Sequence, residues 1–177
     1  MRIIAGEWGG RRIRAPGGRG TRPTADRIRE AWMSAMGPSI PGASVLDLFA
    51  GSGALGLECL SRGATSAVFV ERARGALREL RRNVEELDAG DRVRIIAGDA
   101  LAWAESLEAG AFELAMADPP YDGGYAERLL RHFIAVPFAR ELWIEHRTSA
   151  VLPQLAGMRS RWYGDTTLTI VEAPECP

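Results

Sequence analysis

Apolar runs of strand length recur along the chain, and most of them end in glycine or an acid: Val45–Ala50, Ala67–Val70, Arg92–Ala97, Phe112–Met116 and Glu141–Glu145. Near-continuous hydrophobicity, as opposed to strict alternation, predicts strands covered on both faces. Between the runs the period becomes helical. Residues 74–87 set Leu77, Leu80, Val84 and Leu87 on one stripe, and residues 124–135 group Leu129, Leu130 and Phe133. Ahead of the first strand, residues 25–36 bring Ile28, Trp32 and Ala35 to one face before Gly37-Pro38 stop the helix. Strands alternating with helices from residue 43 to 145 predict an α/β fold with a mostly parallel, doubly wound, Rossmann-like sheet. Residues 159–163 and 166–171 flank Gly164-Asp165 and predict an antiparallel C-terminal hairpin closing that sheet. At the other end, residues 2–6 and 11–15 read as two strands about Glu7-Trp8-Gly9-Gly10. The expectation is an N-terminal β-hairpin arm over 1–22, followed by a domain over 23–177.

Composition changes this picture mainly through the placement of charge. The 177 residues, 46% of them hydrophobic, suit one core. Net charge is −1, yet the first thirty residues hold eight arginines against Glu7, Asp26 and Glu30, leaving +5 there and −6 elsewhere. Arg2, Arg11, Arg12, Arg14 and Arg19 are therefore candidate phosphate contacts, with Trp8, read as exposed, to stack on a base. A solvated basic hairpin is the plainer alternative. Because the arm precedes every cofactor element described below, its removal is expected to affect nucleic-acid binding alone. Cys59 and Cys176 lie far apart, and His132 and His146 match no zinc spacing. The expectation is a reduced, cytoplasmic protein without a metal. No apolar run approaches the roughly 20 residues that span a bilayer, so no membrane is expected either.

Candidate chemistry collects where strands end. Asp47 lies inside the first strand, which runs through Phe49-Ala50 into Gly51-Ser52-Gly53-Ala54-Leu55-Gly56, a G-x-G-x-x-G loop opening a helix to about Arg62. Glu71, just before Arg72, follows Gly51 by twenty residues, the spacing of an acid that accepts ribose hydroxyls. Either a nicotinamide cofactor or S-adenosylmethionine fits this. The acid within the strand, and the 44 residues ahead of it, favour S-adenosylmethionine. Gly98-Asp99-Ala100 puts another acid at a strand's carboxyl end, where open α/β sheets bind ligands, although Asp99 could equally cap a helix.

The most unusual stretch is Ala117-Asp118-Pro119-Pro120-Tyr121. Two prolines remove two backbone donors and fix φ, which leaves carbonyls rigidly aimed between a carboxylate and a ring. Asp118 and the Pro119 carbonyl could accept both hydrogens of an exocyclic base amine while Tyr121 stacks on a base drawn out of its helix or loop. A strand-ending turn with a buried tyrosine is the alternative.

D-P-P-Y, as it stands here, resembles the motif of S-adenosylmethionine-dependent amino-methyltransferases acting on nucleic acid bases. R-P-T-A-D-R-I-R-E, V-L-D-L-F-A-G-S-G-A-L-G-L-E, V-F-V-E, G-D-A and Y-G-D-T extend the resemblance over almost the whole chain, to the class I, RsmD-type 16S ribosomal RNA guanine-N2 methyltransferases. That resemblance implies a catalytic set of Asp118, Pro119, Pro120 and Tyr121. It implies a cofactor set of Asp47, Phe49, Ala50, Gly51, Ser52, Gly53, Glu71, Arg72, Gly98, Asp99, Ala100 and Asp118, with Asp99 at the adenine amine and Arg22 and Thr24 toward the methionine end. The implied partner is 16S ribosomal RNA or an assembling small subunit, met by a monomer. Residues 122–147 are less typical, which leaves the loop beside the target base undefined. A DNA adenine-N6 methyltransferase would share D-P-P-Y, and a nicotinamide-dependent oxidoreductase only the glycine loop and Glu71.

Overall fold

The computed structural model describes residues 1–15 and 23–174, with the backbone alone for 23–27. Seven strands form one sheet: β1 (Ser44–Leu48), β2 (Ser66–Glu71), β3 (Val93–Ala97), β4 (Phe112–Ala117), β5 (Ala139–Arg147), β6 (Arg159–Tyr163) and β7 (Thr166–Glu172). Their order is β3-β2-β1-β4-β5-β7-β6, parallel from β3 to β5, with β7 antiparallel between β5 and β6. The doubly wound sheet and its closing hairpin are as expected. Helices α1 (Pro23–Met36), α2 (Ala54–Ser61) and α3 (Arg74–Glu86) cover one face, and α4 (Ala100–Ala104) and α5 (Tyr125–Ala135) the other. Both faces are thus apolar, and this is why the strands read as unbroken hydrophobic runs: Val45 packs to one side, Leu46 and Leu48 to the other. The sequence pattern did not announce α4, whose five residues are too few for a period.

The sheet's chain reversal between β1 and β4 opens a crevice at their carboxyl ends. Close packing of α2 on β1 and β2 sets its wall. Gly56 permits this, because a Cβ there would lie 2.4 Å from the Phe69 ring and 3.1 Å from Asp47 Oδ2.

The arm departs from expectation. The two predicted segments do pair antiparallel, through Ile3 N–H to Arg11 O, Gly10 N–H to Ile3 O and Ile13 N–H to Met1 O, but only as one isolated bridge, Arg2 to Arg12, because the end of α2 takes the N–H groups of Ile4, Ala5, Glu7 and Trp8. The buried Glu58 carboxylate accepts the Ile4 and Ala5 N–H groups at 2.7 and 3.0 Å, Ser61 O accepts Glu7 N–H, and Ser61 Oγ accepts Trp8 N–H. Gly6 lies so close that a Cβ would sit 1.8 Å from Ser61 O. Trp8 is correspondingly not an exposed platform for a base. It is 4% accessible, shares a cluster with Ile3, Ile13 and Trp32, and has the Arg92 guanidinium 4.8 Å above its ring. Of the arm's arginines, Arg11 and Arg14 reach Glu86 on α3, while Arg2 donates to Gly10 O. Arg19 lies outside the described residues.

Candidate active site

A cleft of about 530 Å³ runs along the carboxyl ends of β1 to β4, lined among others by Phe49, Glu71, Arg72, Gly98, Asp118 and Pro119. Glu71 ends β2 with its carboxylate already organised: Oε2 accepts Gly51 N–H at 2.9 Å, and Oε1 accepts the Arg72 and Ala73 N–H groups at 2.8 and 2.7 Å. A carboxylate offers about four lone-pair sites, so one acceptor, on Oε2, is left for an incoming hydroxyl. Asp99 is the helix cap that the sequence allowed, and it also pairs with Arg72. Its Oδ1 caps α4 through Leu101 and Ala102 N–H, and its Oδ2 meets Arg72 Nη1 at 3.1 Å, so a ligand amine there would share Oδ2 with a guanidinium. Arg72 also donates to the Tyr125 hydroxyl at 3.3 Å, and Tyr125 packs edge-on against Phe49 at 5.4 Å. The Phe49 backbone is left-handed, at φ 60°. That turn aims its ring into the cleft mouth and ends β1 two residues before the apolar run does.

Asp47 stands apart from these groups. It is 2% accessible, does not line the cleft, and uses Oδ2 to accept Gly56 N–H at 2.9 Å beneath the glycine loop. Burial, followed by the Glu71 charge, pushes its carboxyl up to about 7 against the pull of that hydrogen bond. Its part is to hold the loop and place a carboxylate under it. Ser52 is buried, and its carbonyl accepts from Asn83 Nδ2, which ties the loop to α3. Arg22 lies outside the described residues, as does the Thr24 side chain.

β4 delivers Asp118 to the cleft floor. Its surface is reached by solvent from the cleft, yet neighbouring atoms crowd the carboxylate on its other sides. Desolvation first, then the charges of Glu145 and Asp47, raise its pKa well above the carboxylate range. Beyond Pro119 and Pro120 the chain turns so that Tyr121 keeps its ring 39% exposed while its hydroxyl is tied down, donating to Glu145 Oε1 at 2.8 Å and lying 2.8 Å from Thr166 Oγ1. Arg147 covers one ring face, 5.2 Å from the centroid. Burial pushes the phenol up to about 12, so it stays a donor. Burial also raises Glu145; the Tyr121 bond and the nearby Trp32 indole only oppose it, the indole N–H stopping short of hydrogen-bond geometry. A second pocket, about 120 Å³, opens on the far side of the turn between Tyr121, Tyr125 and Glu145, so Pro119, Pro120 and Tyr121 are walls of both.

The tether is testable. Tyr121→Phe keeps the ring but strands a buried carboxylate and a threonine hydroxyl, so the variant is expected to lose about 1 to 3 kcal/mol of stability, read as a lower urea midpoint. An unchanged midpoint would mean that the hydroxyl holds nothing in place.

The D-P-P-Y residues and Glu71, Arg72 and Asp99 converge as the sequence suggested. Tyr125, Glu145, Arg147 and Thr166 were not named as site residues. Thr166 lies in the Y-G-D-T segment, whose meeting with Tyr121 across 45 residues was the one signal available. Cys59 is buried, with its thiol pushed up by that burial, and serves packing. Among the described residues no helix is long and apolar enough to cross a membrane, and no group of three His, Cys, Asp or Glu residues could hold a metal ion.

This arrangement has close counterparts. Ribosomal RNA small subunit methyltransferase D of Escherichia coli strain K12 is 38% identical over 130 residues, 73% of this chain but 65% of that protein's length. YlbH of Bacillus subtilis, provisionally named an rRNA methyltransferase, is 34% identical over 96% of this chain and 97% of its own. Among solved structures, the Escherichia coli protein yhhF, provisionally named a methyltransferase, matches with a TM-score of 0.82 at 31% identity, covering 96% of each chain. The family model described as conserved hypothetical protein 95 matches residues 1–172, and the chain belongs to that family, the RsmD-type methyltransferases.

Proposed function

We propose that this chain methylates the exocyclic N2 amine of a guanine in small-subunit (16S) ribosomal RNA, as a cytoplasmic monomer acting on RNA or an assembling subunit, with S-adenosylmethionine as methyl donor. The observation that carries the reading is that Pro119, Pro120 and Tyr121 form a common wall of a large cleft and a small pocket, with Asp118 at its cleft side. One compartment suits a nucleoside cofactor, the other a single base. The names of the relatives support ribosomal RNA as the class of substrate.

The groups at the cleft fit S-adenosylmethionine: one acceptor on Glu71 for a ribose hydroxyl, the Phe49 ring for an apolar face, and, next to the lining residues Gly98 and Ala100, the Asp99 carboxylate for an amine. When bound, that cofactor supplies a methyl group on a sulfonium. The protein's own work is done on the acceptor amine. Asp118 and the Pro119 carbonyl accept its two N–H hydrogens, which turns the nitrogen lone pair out of conjugation toward the cleft, and Asp118 takes the proton shed as the new bond forms. Tyr121 stacks on the base plane. Guanine is favoured over adenine because its Watson–Crick edge offers N1–H beside the amine, and the small pocket has a second carboxylate, Glu145, to accept it. Adenine presents an acceptor at that position.

Glu71→Ala removes the ribose acceptor and frees three backbone donors, so S-adenosylmethionine affinity is expected to fall by about 1.5 to 3 kcal/mol in a calorimetric titration. Wild-type affinity in this variant would take Glu71 out of the cofactor site. A nicotinamide cofactor binding in place of S-adenosylmethionine in the same titration would overturn the assignment of the cleft.

A further inference from the structure

Beyond β7 the sheet ends at β6, and there a third hollow of about 350 Å³ is lined by His146, Thr148, Ser160, Trp162, Thr167 and Thr169, among others. Trp162 is 69% exposed, whereas Trp8, Trp32 and Trp143 are buried. A tryptophan left in water on a sheet edge is a cost that packing does not explain. Ser160 and Trp162 alternate onto this face, whereas Arg159, Arg161 and Tyr163 point to the other. The lining hydroxyls form a neutral polar floor: Thr148 Oγ1 lies 2.9 Å from Thr167 Oγ1, and Thr169 Oγ1 lies 2.8 Å from His146 Nε2 and 2.9 Å from Ser160 Oγ. No described residue of the lining is acidic, in a chain of 23 acids. The hollow also adjoins the small base pocket, sharing His146, Ala150 and Leu152 with it, and Arg147 stands at that border over Tyr121.

We propose that this groove seats a nucleotide of single-stranded RNA flanking the target base, with Trp162 as its stacking platform and the Ser and Thr hydroxyls facing ribose and phosphate. The identity of the polymer rests on the methyl-transfer reading above. The site takes over the role that the sequence suggested for Trp8. It is sequence-tolerant, since every base has a face to stack.

The test compares wild type, Trp162→Ala and Trp162→Phe for binding of a fluorescein-labelled single-stranded oligoribonucleotide, with calorimetry of S-adenosylmethionine alongside. Alanine is expected to weaken RNA binding about ten-fold, within the range of one lost stack. Phenylalanine should restore most of it, and cofactor affinity should be unchanged. The salt dependence of the alanine variant should keep the wild-type slope, since stacking releases no counterions. An alanine variant that binds the oligoribonucleotide as tightly as wild type overturns the proposal. If that variant also fails to methylate ribosomal particles, Trp162 contacts a protein instead. A wild-type protein that binds RNA and cofactor but transfers no methyl group defeats the methyl-transfer reading, while the Trp162 comparison still decides the groove.

Discussion

Asp118→Ala is expected to lower methyl transfer by about 10² to 10⁴, the usual worth of a positioned proton acceptor, while S-adenosylmethionine still binds. Asp118 is asked to orient the amine and to accept its proton, and both tasks need the carboxylate form. Because burial, Glu145 and Asp47 raise its pKa, protonation competes at higher pH than for an ordinary aspartate. The sign follows directly: kcat/KM should fall as pH drops through that raised pKa and level off above it. Glu145→Gln removes a neighbouring negative charge, so the acidic limb should move to lower pH. Asp118→Ala with wild-type turnover, or a limb that ignores Glu145, would show that the amine is held by other groups.

Removing residues 1–15 is expected to cost most of the protein's stability instead of affecting RNA binding alone. Ile3, Trp8 and Ile13 are nearly inaccessible in the core beneath α1 and α2, and each such side chain is worth about 1.5 to 3 kcal/mol. The truncation also strips two N–H donors from Glu58, which is wholly buried. Among the described residues, Arg62 at 2.8 Å would then be its remaining partner, and partial loss of partners around a buried charge runs to about 3 to 5 kcal/mol. Against a typical stability of about 5 to 15 kcal/mol, the truncated chain should melt far below wild type or fail to fold. An unchanged melting temperature by circular dichroism would mean that the arm does not belong to the core. Any RNA contact by the arm is better probed on its exposed side. Arg2→Ala with Arg12→Ala should leave the melting temperature alone and, if both touch phosphate, flatten the log-affinity against log-salt slope by about 1.4 to 1.8.

The parallel sheet was legible because burial on both faces leaves unbroken apolar runs, and the cofactor cleft because acids and glycines follow strands at fixed distances. Trp8 was misread for a physical reason. Set between Glu7 and two glycines in a basic stretch, it looks solvent-facing, and only the pairing of the arm with Glu58 and Ser61, more than 50 residues away, turns it inward. Glu145 and Thr166 escaped notice likewise. Both sit in strands where alternation would explain a polar residue, and their meeting at the Tyr121 hydroxyl depends on the antiparallel register of β5 and β7. The acid inside the first strand was legible, but not its hydrogen bond to Gly56 N–H under the loop, which depends on how α2 packs on β1.

The most direct test is methyl transfer from labelled S-adenosylmethionine to small ribosomal particles from cells lacking the matching methyltransferase, with double-stranded DNA assayed in parallel and the modified nucleoside identified after digestion. The account predicts label in 16S ribosomal RNA, recovered as N2-methylguanosine, with none in DNA and at least about a hundred-fold less from Asp118→Ala. Label recovered as N6-methyladenine, or in DNA at a comparable rate, would contradict it.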